Sequence, residues 1–337
     1  MYPLCRLCLS SGDYVTRSAL SLLAVFFCLM ATHALSQTYP SKPVRIIIGY
    51  VPGGAADFTA RLIAQKLQAP QQLAQPMIVE SRAGAGSTLA IHRVATSAAD
   101  GYTLLLISEG GLVQSARGAK LPYDLERDLS PVSFVAVGPQ GLVVHPALPA
   151  KNVTELIVLA RKSPGKMSFG SSGNGSAQHL AGELFNLMAK TRITHVPFKG
   201  GAQSSVATAS GEIEMAFATI PSALPFIGSG KLRLLAITLP QRVSFLPQTP
   251  TLHEAGLPGY EYSAWYGVMA PAGTPPEIIA RLNEAIVKVI NAPDTKDLFN
   301  KGGLEPQTST PREFAAFVKN QLEKSRKLTR LAGLGSE

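Results

Sequence analysis

The chain has 337 residues, 46% of them apolar and 16% charged. That is room for about two domains with packed cores, and it excludes general disorder. The formal net charge is +9, but no block of lysines and arginines concentrates it, so nucleic-acid binding is not indicated; a diffuse positive field favours encounter with small anions instead.

The chain opens with Arg6 and Arg17, an apolar block "ALSLLAVFFCLM" and the small-residue run "ATHALSQ". That is the order of a secretory signal, with cleavage expected after Ala34 or Ser36, and the presequence is taken as residues 1–36. Twelve apolar residues at about 1.5 Å each fall short of a bilayer core of ~30 Å, so an uncleaved anchor is the alternative rather than the reading. Cys5, Cys8 and Cys28 all lie in this segment. The mature chain therefore has no thiol, disulfide or cysteine ligand, and the "CRLC" spacing carries no redox or zinc role.

"VRIIIGY" (residues 44–50) is a β-branched apolar run and predicts a buried strand. After a Gly/Pro loop, Phe58, Leu62, Ile63 and Leu67 mark one face of a helix, with Asp57 placed at its N-cap. "PMIVES" predicts a second strand, "LAIHRVATSA" a second helix and "GYTLLLIS" a third strand. This β-α-β-α-β order implies a parallel sheet covered on both faces. The theme restarts with the strand "GLVVHP", a helix that Asn152 caps, and strand–Gly/Ser loop–helix in "KMSFGSSGNGSAQHLAGELFNLMA". "ITHVPFKGG", "SVATASGEIEMAFAT" and "KLRLLAIT" complete a second α/β unit. Two capping boxes, Thr274–Glu277 and Thr310–Glu313, open the last helices. No short-period repeat is present.

Three Gly-rich turns join a strand to a helix: Gly53-Gly54, Gly84-Ala85-Gly86 and Gly173-Asn174-Gly175-Ser176. None is a dinucleotide loop, because Leu89 and Gln178 stand where the third glycine belongs, and no Gly-Lys-Ser/Thr phosphate loop occurs. No G-x-S-x-G elbow or H-E-x-x-H motif occurs. The mature histidines, His92, His145, His179, His195 and His253, are scattered and read as surface or core residues rather than ligands. Backbone N–H groups at a helix start attract anions, and glycine lets a ligand approach them. Two such loops in separate α/β halves point to a binding cleft at the carboxyl ends of the strands. A hydrolase or lyase is the rival from another class; it would pair Ser176 with His179, three residues apart at a helix start, with no third orienting group evident.

"YPSKPVRIIIGYVPGGAADFTARLIAQKL" resembles the N-terminus of the Bug family, the solute receptors of tripartite tricarboxylate transporters. The likeness continues through "ADGYTLLL", "LPYDLERDLSPVS", "SFGSSGNGSAQHLAGELF", "HVPFKGGAQ", "PSALPFIGSGKLRLLAIT" and "APAGTPPEIIARLN", covering nearly the whole mature chain in order. The resemblance implies the α/β, two-domain periplasmic binding protein fold of the second type, each domain a mostly parallel sheet flanked by helices, with the ligand cleft between them. Domain 1 would combine residues 37–138 with 257–337, and domain 2 would be residues 139–256. It implies a periplasmic, non-catalytic receptor that needs no cofactor or metal, acts as a monomer, and passes a small carboxylate to integral membrane transporter subunits. A sensor that feeds a signalling partner is the variant of this reading.

Carried over by position, the ligand residues are Pro52, Gly53, Gly54, Ala55 and Asp57 of the first loop and Ser171, Ser172, Asn174, Gly175 and Ser176 of the second. Tyr50, Val51, Ser108 and Thr219 complete the expected site at positions where the sequence departs from the family pattern. Asp57 would repel an anion directly, so it is expected to cap its helix, order the loop, or meet an amine or water. Tyr50-Val51, the acid in Ser108-Glu109-Gly110-Gly111, and Ala218-Thr219-Ile220 in place of an Asp-Asn pair alter the cleft's polarity. They leave open an aromatic acid, an amine-bearing acid or a nearly neutral ligand besides a dicarboxylate.

Overall fold

The computed structural model describes residues 39–117, 120–331 and 333; the expected signal segment and all three cysteines lie outside them. The chain divides at Ser41, and the compact unit described below is Lys42–Glu337. Among the described residues no helix is long and apolar enough to cross a membrane.

The first part folds as the periodicity predicts: β1 (Val44–Ile48), α1 (Ala55–Leu67), β2 (Met77–Ser81), α2 (Thr88–Ala95), β3 (Thr103–Ser108), α3 (Glu109–Ala116) and the short α4 (Leu125–Asp128). β1 lies between β2 and β3 and is parallel to both, with Ile46 opposite Val79 and Leu104. Ile46, Ile47 and Ile48 are all buried, as a strand covered on both faces requires.

The second part has α5 (Val153–Lys162), β5 (Ser168–Ser171), α6 (Ala177–Ala189), β6 (Thr194–Pro197), α7 (Gly201–Ser210), β7 (Met215–Thr219), α8 (Ile220–Gly228) and β8 (Arg233–Ile237). Here β5 is parallel to β6 and to β7. Asn152 caps α5 as expected, accepting a hydrogen bond from the Glu155 amide.

Two long strands tie these parallel sets together and make the whole sheet mixed: β4 (Leu129–Val144) and β9 (Ser263–Pro271). From Leu129 to Pro139, β4 pairs antiparallel with β9, which pairs antiparallel with β3 on its other side. From Gln140 to Val144, β4 pairs antiparallel with β7, and from Gly141 to Val144 with β8. Only the end of β4 is signalled locally, by "GLVVHP".

The chain closes with α9 (Pro276–Asn291), α10 (Pro293–Lys301), β10 (Glu305–Pro306) and α11 (Pro311–Leu331). Thr310 and Glu313 form the expected reciprocal box, each backbone amide donating to the other's side chain at 2.8 and 3.2 Å. The other box does not form. Thr274 donates its hydroxyl to the Pro271 carbonyl at 2.7 Å, and α9 starts at Pro276 without a side-chain cap; the proline at its first position supplies the start instead.

The apolar interior is built around two main groups of side chains. One gathers Leu142, Phe169, Phe185, Phe217 and Tyr260. The other gathers Ile47, Leu105, Phe134, Trp265 and Phe314. In the second group, Trp265 and Phe134 each meet Phe314 edge-on, with ring centroids 5.9 and 6.0 Å apart. The Phe314 ring lies so close over β9 that a Cβ at Gly267 would run into it. This contact anchors α11 to the long strands. Phe314→Ala removes a fully buried ring, and the expected loss is about 3–5 kcal/mol, measured by urea unfolding.

Candidate functional site

The pairing pattern sets where the strands end. Ser108, the last residue of β3, lies opposite Tyr266, which lies opposite Ala136 of β4. Thr219, the last residue of β7, lies opposite Gln140. β3 runs with β4 and β7 runs against it, so their carboxyl ends face each other across four residues of β4, a gap of roughly 13 Å at ~3.3 Å per residue. The loops after the parallel strands, with the helix starts they feed, border this gap from both sides. Such a junction is the usual ligand crevice of an open α/β sheet.

On the first side stands the Pro-Gly-Gly loop. Val51, Pro52, Gly53 and Gly54 are solvent-exposed and Ala55 half-buried. Val51 presents an apolar side chain that is 69% exposed. Gly54, not Asp57, is the N-cap of α1, and no side chain caps that end. Asp57 sits three residues inside the helix and is buried. Its carboxylate accepts from the Gly53 amide at 3.0 Å and from Arg61 Nε at 2.9 Å. Burial alone would raise this carboxyl's pKa, but the Arg61 hydrogen bond, the Gly53 amide and the Arg61 charge together hold it below the usual range. Asp57 therefore orders the loop from behind. Its charge is balanced by Arg61, and the amide of Gly53 is occupied.

Under this loop lies a polar floor. The Tyr50 and Ser108 hydroxyls are hydrogen-bonded to each other, and burial, opposed by that bond, raises the Tyr50 pKa. Beside them Glu109 is 2% exposed. The Tyr262 hydroxyl donates to its Oε1, while Oε2 has no partner. Burial pushes the Glu109 pKa up to about 8 against the pull of that hydrogen bond. At neutral pH this residue is mostly an uncharged acid, so it does not repel an anion in the gap.

The second side carries the Gly/Ser loop, and its donors largely turn inward. Ser171 is fully buried; its hydroxyl meets His195 Nε2 at 2.6 Å and accepts from the Gly173 amide at 3.0 Å. The Ser172 hydroxyl donates to Gln178. The Gly175 amide donates to His179 Nδ1 at 3.0 Å, and the Ser176 amide to the Gly173 carbonyl. Asn174 alone in this loop is exposed. Ser176 is the N-cap of α6, accepting from the His179 backbone amide at 3.2 Å, so its hydroxyl is not paired with the His179 ring. The Ser176–His179 pairing expected for a hydrolase or lyase is not assembled. Thr219 is the N-cap of α8 and donates to Ser222 Oγ at 3.0 Å.

Several contributors were not legible in the sequence. His179 and His195 stack with ring centroids 3.6 Å apart. Burial, helped by His179, drops the His195 pKa to about 4 although Glu183 pulls it up. Gln114 and Arg117, one turn apart on the helix after β3, reach from the first side to the second: a Cβ at Gly175 would lie 3.3 Å from Arg117 Nη1 and 3.6 Å from Gln114 Nε2. Gly175 has φ +73°, where glycine alone is unstrained. Gln178, Ser205 and Ser222 join the starts of α6, α7 and α8, with the Ser205 and Ser222 hydroxyls 3.3 Å apart. The i, i+3 spacing of Gln114 and Arg117 behind a strand-ending Ser108 was the one local signal.

Comparisons with known proteins agree on one family. The model of the tripartite tricarboxylate transporter family receptor matches residues 59–334. Protein BugT of Bordetella pertussis (strain Tohama I) is 36% identical over 310 residues, 90% of this chain and 94% of BugT. Among solved structures, R. palustris Rpa4515 with adipate is 33% identical with a TM-score of 0.78, covering 88% of this chain and 98% of that one. MatC (Rpa3494) from Rhodopseudomonas palustris, with bound malate, is 30% identical with a TM-score of 0.74, covering 86% and 99%. The architecture is the α/β two-domain fold of periplasmic binding proteins.

Glu109 makes the floor pH-sensitive. Its folded pKa lies above the ordinary 4.5, so its stabilising contribution is full below that value and is lost as pH rises through about 8. Glu109→Gln keeps the shape without the charge. Its melting temperature is expected to fall less than the wild type's between pH 6 and about pH 9, measured by calorimetry across that range.

Proposed function

The chain belongs to the tripartite tricarboxylate transporter receptor family, and on that footing we propose that it is an exported, non-catalytic receptor that captures a small carboxylate for an integral membrane transporter. Residues 37–138 and 257–337 form one lobe and residues 139–256 the other; a hinge motion about the long strands closes them over the ligand. The signal segment sends the chain to the periplasm.

The observation that carries this reading is the opposition of the two sets of strand ends across β4. The helix starts at Gly54 and Thr219 face that gap without side-chain caps. Helix N-termini of this kind hold anions through backbone N–H groups and a positive dipole end. Residues 52–55 form one wall, with the Gly54, Ala55 and Ala56 amides as donors. Asn174, Ser222 and the first turns of α6 and α8 supply the other, and Arg117 adds a cation beside Gly175. A carboxylate is the matching ligand class, in keeping with the adipate and malate bound by the two relatives. Neutral Glu109 and exposed Val51 favour an acid with an apolar body over a densely charged one.

Calorimetry and thermal shift against a panel of mono-, di- and tricarboxylates test this; a panel with no binder contradicts it. Gly54→Asp tests the loop. A Cβ at Gly54 meets nothing within 4 Å, and its φ of −90° is open to any residue. Aspartate is also a favoured N-cap, so the substitution adds charge without crowding. Affinity for the acid found is expected to drop at least about tenfold; unchanged affinity refutes the loop assignment.

A further inference from the structure

A second cavity of about 320 Å³ lies between α6 and α11, beside the segment that leads into β9. None of residues 50–57 or 171–176 lines it, nor does Thr219; the residues it shares with the floor of the gap are Glu109 and Tyr262. Its volume is at the lower end of small-molecule pockets, roughly 300–1,000 Å³.

The walls are of two kinds. Leu184 and Leu187 of α6 and Leu328 of α11 face it, and Leu187 is 51% exposed, so a large apolar surface there lacks a protein partner. Lys324 and Lys327 of α11 also line it. Lys324 is 3.6 Å from Glu261, both of them half-exposed, so that pair is loosely held. Lys327 makes no ion pair among the described residues. With Glu261 balancing one lysine, one positive charge is left over. At the inner end sits Glu109, buried and with Oε2 unpartnered.

We propose that this cavity is a second ligand site, separate from the carboxylate mouth, that takes a small monocarboxylate with an apolar body. The body lies across the three leucines and the carboxylate lies at the two lysines. The occupant touches α6, whose first turn carries the Gly/Ser loop, and α11, which packs on the other set of strands. It therefore joins the two sides of the gap.

The test uses the full chain with labelled leucine methyls, titrated with benzoate and with hexanoate. The methyls of Leu184, Leu187 and Leu328 are expected to shift and saturate, with a Kd below about 1 mM. Lys327→Glu and Leu187→Asp, both at exposed positions, are each expected to weaken the probe at least about tenfold while leaving the mouth's affinity for its own acid unchanged. Leucine methyls that do not move at about 10 mM probe overturn the proposal. So does a probe that Gly54→Asp weakens and Lys327→Glu does not, because it then sits in the mouth. The leucine shifts report on this cavity whether or not the mouth binds anything, so the two readings fail separately.

Discussion

The structure depends on one strand that joins two sets of parallel strands in a single sheet. β4 spends its first eleven residues against β9 and its last five against β7 and β8. Because β3 runs with β4 and β7 runs against it, the change of partner at Pro139 and Gln140 brings the carboxyl ends of two parallel sets into opposition. Each loop at the gap follows from that geometry. A helix after a parallel strand starts at the strand's carboxyl end, so its uncapped N–H groups arrive where an anion can reach them.

The charges around the gap are arranged to stay out of the way. Asp57 is tied to Arg61 and to the loop amide of Gly53. Glu109 is held mostly neutral by burial. Burial, helped by the neighbouring His179, keeps His195 uncharged at neutral pH, with Ser171 as its hydrogen-bond partner. On the proposed reading, attraction for an anion is left to dipoles, hydroxyls and Arg117. Such a site costs little reorganisation, because its donors are fixed by the turns that make them. The His195 contribution to stability is present above pH 6.5 and is lost as pH falls toward about 4, so the second loop is sensitive to acid while the Glu109 floor is sensitive to base.

What the sequence displays is local. Continuous apolar runs identify β1 and β3, the glycine pairs identify the turns, and Thr310 with Glu313 identifies the start of α11. The long crossing strand is not displayed, because its pairing with β7, β8 and β9 joins residues 71 to 142 positions apart and its partner changes midway. The sequence puts the helix start at Asp57, three residues late, because an acid before an apolar face is a common N-cap signal, whereas Gly54 adopts the extended backbone and Asp57 reaches back to the Gly53 amide. Thr274 has the letters of a capping box, but the Pro271 carbonyl competes for its hydroxyl. The histidine stack comes from tertiary packing alone, and the Gln114–Arg117 reach leaves only an i, i+3 spacing in the sequence. The family resemblance located the two loops; it did not disclose that the second turns most of its donors inward.

The central claim is that backbone amides at opposed helix starts hold the ligand's carboxylate. The most direct measurement is the amide spectrum of nitrogen-labelled protein titrated to saturation with an acid that it binds. The account predicts the largest shifts at Gly54, Ala55 and Ala56 on one side and at Asn174 and Ala177 on the other. Saturation with those amides unmoved, and the shifts gathered elsewhere, would contradict it.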